Sequence, residues 1–120
     1  MTDEMILTSL EQIVRTVKIA LKTDAETARA LVELNAYLIG CSAESRKVLK
    51  EILTDHGFHH VITPPDWEHT KKFCCQHKSG AFVLEYPDRL IAIVDGEIHI
   101  GEATAEKPYR VWYKEPCGGV

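Results

Sequence analysis

A chain of 120 residues, 45% hydrophobic and 27% charged, has ordinary globular composition and length enough to bury a core without disulfide or metal staples. Its formal charge of −4 argues against a general nucleic-acid binder, which needs clustered Lys and Arg against phosphate. The acidic start Met1-Thr2-Asp3-Glu4-Met5 is not that of a signal peptide, and no apolar run reaches the ~18 residues of a membrane span. Four cysteines (Cys41, Cys74, Cys75 and Cys117) lack the spacing of a small secreted scaffold, so the expectation is a cytoplasmic protein with free thiols.

Residues 3–22 have the apolar spacing of an amphipathic helix: Ile6, Leu10, Ile13, Val14, Val17 and Leu21 recur at steps of three and four. Thr23-Asp24-Ala25-Glu26 has capping-box spacing and opens a second helix to about Ile39. Its expected inner stripe is Ala28, Leu31, Val32, Asn35 and Leu38, widened by Leu34 and Ile39, with Gly40 as the stop. Ser42 caps a third helix through Val48, Leu49, Ile52 and Leu53, which ends at His56-Gly57.

The period then changes from 3.6 to 2. Phe58–Thr63 reads as a first strand ended by Pro64-Pro65, and 66–72 as loop or helical turn. Strands are expected at Phe73–His77, Ala81–Tyr86, Arg89–Asp95, Glu97–Glu102 and Tyr109–Lys114. The fold class is therefore α+β: three N-terminal helices packed on one face of a four- to five-stranded antiparallel meander. A single domain spans 1–120, with a helical half at 3–57, a sheet half at 58–115 and a short tail at 116–120.

Asp95-Gly96 between alternating runs predicts a type I′ hairpin. It pairs Val94 with Glu97, Ile93 with Ile98, Ala92 with His99 and Ile91 with Ile100. Pro87-Asp88 as a second two-residue turn pairs Leu84 with Ile91 and Phe82 with Ile93. Both turns gather Phe82, Leu84, Ile91, Ile93, Ile98 and Ile100 on one face, which the helices are expected to cover. The opposite face holds Val83, Leu90, Val94 and His99. A last strand pairing with Glu97–Glu102 adds Trp112, flanked by Arg110 and Lys114. That face is either an interface, with these seven residues as its site, or a second core beneath a helix or the 66–72 loop.

Other chemistry is thin. Cys75 and His77, two apart on an expected strand, share a face, so a metal site would add His60 or His69 to them. Cys74 or Cys75 beside a histidine supplies residue types for a nucleophile but no elbow or oxyanion hole. No glycine-rich phosphate loop is present. Arg46, Lys47 and Lys50 start a recognition helix in a helix-turn-helix reading, but Glu44 and Glu51 sit among them. The Asp66-Trp67-Glu68-His69 loop can bind a partner or fold onto the core edge.

The sequence therefore predicts a non-enzymatic binding or regulatory protein without cofactor. It would act on a protein partner or by self-association, as in a homodimer, and not on membrane or nucleic acid. A metal- or ligand-binding protein using the His/Cys-rich segment 56–77 is the alternative. A third reading, an inhibitor of a host protein carried by a phage or mobile element, rests only on how common small acidic domains are among such inhibitors.

Overall fold

The computed structural model describes residues 10–39, 45–62 and 67–114. Expectations for residues 3–9, Gly40, Cys41, Ser42, Pro64-Pro65, Cys117 and the rest of the tail fall outside them. The chain is α+β: among the described residues there are four helices and five antiparallel strands, with the three longer helices on one side of the sheet. No described helix is long and apolar enough to cross a membrane.

Helix α1 spans Leu10–Leu21 and buries Ile13, Val14, Thr16, Val17 and Ala20. Helix α2 spans Ala25–Ile39. Its cap is Asp24 rather than the expected Thr23: Asp24 Oδ1 accepts from the Thr27 N–H at 2.6 Å. A carboxylate so placed satisfies an orphan donor and faces the positive end of the helix dipole, and its pKa is accordingly lowered. Helix α3 spans Ser45–Asp55. Gly57 at φ +89° ends it, with Phe58 N donating to Leu53 O at 2.9 Å and Gly57 N to Thr54 O at 3.2 Å. That is the Schellman pattern, and it turns Phe58 back into the core.

The strands are β1 (His59–Ile62), β2 (Ala81–Glu85), β3 (Leu90–Val94), β4 (Glu97–Ile100) and β5 (Arg110–Lys114). Their spatial order is β1-β5-β2-β3-β4. Only β2, β3 and β4 form the expected meander. β5 does not pair with β4 but returns to lie between β1 and β2, a Greek key. Both hairpin turns set register as their residues dictate. Leu84 pairs with Ile91 and Phe82 with Ile93; Asp95 and Gly96 both take positive φ, and Ile93 pairs with Ile98. Beyond that pair the ladder slips: Ala92 faces Ile100, and His99 is the extra residue of a bulge on the edge strand.

The helices cover the other face of the sheet from the one expected. Val83, Leu90, Ala81, Trp112 and half-buried Val94 lie in one cluster with the buried side chains of α1, α2 and α3. The isoleucine face is covered instead by a fourth helix, α4 (Thr70–Gln76), with Phe73, Cys74 and Trp67 against Leu84, Ile91, Ile93 and Val111. The expected strand at Phe73–His77 is thus mostly helix. Its buried residues, Thr70, Phe73 and Cys74, follow helical spacing of three and four. His69 caps it, Nδ1 accepting from Lys71 N at 3.1 Å. The β4–β5 connection is pinned to α4 at Thr70, whose hydroxyl donates to Thr104 O at 2.9 Å and accepts from Thr104 N at 3.0 Å.

Candidate functional site

Three of the seven residues expected to form an open interface are interior, and two more are half-buried. Trp112 is 1% exposed, and Val83 and Leu90 are buried beside it under the helices. The apolar content of this face thus reflects a second core, the other reading of the same pattern. Arg110 and half-buried Val94 lie toward its edge. His99 and Lys114 are exposed but stand on different strands, at the sheet's far edge and at the end of β5.

Trp112 meets a polar centre instead. Glu85, 3% exposed, is the end of β2, and four side chains converge on its carboxylate. Trp112 Nε1 donates to Oε1 at 2.6 Å. Tyr109 OH donates to Oε2 at 3.0 Å and Arg46 Nη1 to Oε2 at 3.1 Å. Arg110 Nη1 lies 3.4 Å from Oε1. Arg46 also donates through Nη2 to the carbonyls of Tyr86, at 2.7 Å, and Arg89, at 3.2 Å. Burial, then the negative Glu85, pushes the Tyr109 hydroxyl above the ordinary tyrosine range. Three hydrogen bonds and a second guanidinium hold this buried carboxylate in place, so the cluster clamps α3 to the β2 end of the sheet. It also removes Arg46 from the helix-turn-helix reading, since that side chain turns inward.

The His/Cys-rich segment is divided by the fold. His60 packs tilted against Trp112 at a 4.7 Å centroid distance, while His69 caps α4. Cys75 is exposed at the end of α4 and Cys74 is buried, its thiol pKa raised by burial. Cys75 and His77 do not share a strand face, because the segment is helical. Among the described residues no three His, Cys, Asp or Glu side chains are grouped to hold a metal ion. His77 instead joins a ring cluster, 4.3 Å from Phe73 and 5.1 Å from Phe82. The niche beside Trp67, Phe73 and His77 encloses about 150 Å³, less than the ~300 Å³ at which small-molecule sites begin.

What reading along the chain missed is on α2. The helix packs on α1 and α3 and buries Ala28 and Val32, with Leu31, Asn35 and Ala36 half-buried. Leu38, expected on that inner stripe, is 69% exposed, Leu34 is 54% and Tyr37 is 83%. The three stand at i, i+3 and i+4 and so share one outer face. The signal was present in the sequence as excess: ten of the fifteen residues of α2 are apolar or aromatic, where about one face needs them. No family model, no curated protein and no solved structure matches this chain.

Proposed function

We propose that the chain is a non-catalytic binding protein working through the outer face of α2, and that the occupant of this face is a second copy. The observation that carries the reading is the contiguous exposure of Leu34, Tyr37 and Leu38. Single exposed apolar side chains need no explanation, but an adjacent trio with an aromatic has the composition of an interface centre. The stripe also suits itself. In an antiparallel pair of α2 helices related by a two-fold through Leu34, Ala30 comes opposite Leu38. A small exposed residue then receives a large one from the partner, at both ends of the contact. The cationic residue of this stretch, Arg29, is held aside by Glu11 at 2.6 Å.

Sedimentation equilibrium of the wild type and of Tyr37→Asp/Leu38→Asp, up to about 1 mM, tests the reading. The expected result is a concentration-dependent dimer abolished by the double change, with the variant's circular dichroism spectrum that of a folded chain because both positions face water. A wild type that stays monomeric throughout, or a double variant that dimerises equally, overturns it.

A further inference from the structure

We propose that the cavity between the ends of α1, α3 and β5 binds a small organic anion: an apolar body carrying one carboxylate or phosphate. Two of its residues, Thr27 and Leu31, are on α2, but none of the stripe residues Leu34, Tyr37 and Leu38 lines it, and the proposal does not depend on them. The cavity encloses about 400 Å³, within the ~300–1,000 Å³ typical of small-molecule sites. Leu21 and Leu31 supply apolar wall, and Lys22, Lys114, His56 and Thr27 supply polar groups. These come from four separate helices and strands that meet only in the folded chain.

The sign of the charge is what distinguishes this cavity. The protein carries −4 overall, yet among the described residues that line the cavity there is no Asp or Glu, and there are two lysines and a histidine. Lys114 has no carboxylate partner among the described residues. Lys22 has one only at 4.0 Å, Asp95, and both side chains are more than half exposed. Solvent screening leaves such a pair little hold on the ammonium, so an incoming anion can recruit it. His56 Nδ1 lies 2.9 Å from Ile52 O, which assigns the ring proton there and leaves Nε2 for other partners. Two point charges on flexible stems suit a single carboxylate or phosphate head of no fixed orientation.

Lys22 adds a second argument. It occupies the C′ position of α1, with Thr23 N donating to Lys18 O at 3.1 Å and Lys22 N to Ile19 O at 3.3 Å. Its φ is +54°, the left-handed conformation that glycine ordinarily fills at a helix end. A cation kept at a strained backbone position, at the wall of a cavity, is the pattern expected where the side chain has a use.

The test is a heteronuclear NMR titration of the full chain with hexanoate, hexyl phosphate, 1-hexanol and inorganic phosphate at fixed ionic strength. The expected result is that one hexyl anion shifts the amides of Lys22, Thr27 and Gly80, and whichever binds tighter identifies the head group. Hexanol and inorganic phosphate should each bind about ten-fold or more weakly, since each lacks one half of the ligand. Lys22→Gly and Lys114→Gln should each weaken the anion about five-fold or more. Lys22→Gly removes the charge while relieving the backbone, and its amide spectrum in the same titration shows whether the fold is retained. Equal binding of hexanol, equal binding of inorganic phosphate, undiminished binding by both lysine variants, or no shift with any probe at about 10 mM overturns the proposal.

Discussion

Trp112 donates its indole N–H to Glu85 at 2.6 Å across the β5–β2 ladder, where Val83, not Glu85, is its direct strand partner. The bond therefore runs diagonally along the helix-covered face and places a carboxylate at the edge of an apolar core. Removing the charge leaves Arg46, Arg110, Tyr109 and Trp112 directed at a poor acceptor. Glu85→Gln is expected to cost about 3–5 kcal/mol, as for one partner of a buried ion pair. Replacing both ends, Glu85→Leu with Arg46→Met, should cost less than the sum of the single changes. Denaturant unfolding of the four species as a double-mutant cycle measures this. Additive losses would show that Arg46 and Glu85 do not act as a unit.

Lys22 is held at φ +54°. A non-glycine residue there is strained by roughly 1–2 kcal/mol, while glycine adds about 0.5–1 kcal/mol of unfolded-chain entropy. Lys22→Gly should therefore be neutral to stabilising, by up to about 1 kcal/mol, despite the loss of an exposed contact to Asp95. Thermal melts of the two proteins decide it. A melting temperature lowered by several degrees would mean that the ion pair outweighs the backbone.

Asp24 gives the acid limb of stability a defined contributor. Hydrogen bonds from Thr27 lower its pKa in the folded chain. A depressed carboxylate stabilises the fold above its unfolded pKa, about 3.9, and that contribution is lost as pH falls through the lower folded value. The melting-temperature gap between wild type and Asp24→Ala should be constant above about pH 5 and close progressively below about pH 4. A gap that persists undiminished at the lowest pH would assign the cap to another residue.

Local rules were legible wherever one turn fixed its neighbours. Asp95-Gly96 and Pro87-Asp88 carry their own geometry, so the pairings Phe82–Ile93, Leu84–Ile91 and Ile93–Ile98 follow from the residues alone. The bulge at His99 was not legible, because nothing in Ile98-His99-Ile100 departs from alternation. Nor was the choice of which sheet face the long helices take. Both faces are apolar, and the decision rests on α4, whose Thr-Lys-Lys-Phe-Cys-Cys-Gln sequence has weak helix preference and is stabilised by Thr70 and His69 contacts. The place of β5 depends on pairing across more than twenty residues, which no local pattern encodes. On α2 the apolar excess is visible in the sequence, but periodicity cannot tell a buried stripe from an exposed one of the same width.

The Greek-key order makes assembly depend on the last of the five described strands. Among the described residues β1 has only β5 as a ladder partner, and some fifty residues separate them. Closing that loop is entropically costly before any contact rewards it. The β2–β3–β4 hairpins can form as soon as they leave the ribosome, whereas β1 and the Glu85 cluster must wait for Arg110–Lys114. A nascent chain from which residues 110–114 have not yet emerged thus holds Val83 and Leu84 on an open strand edge, and that interval is the one in which this sheet is most exposed to aggregation and to chaperones.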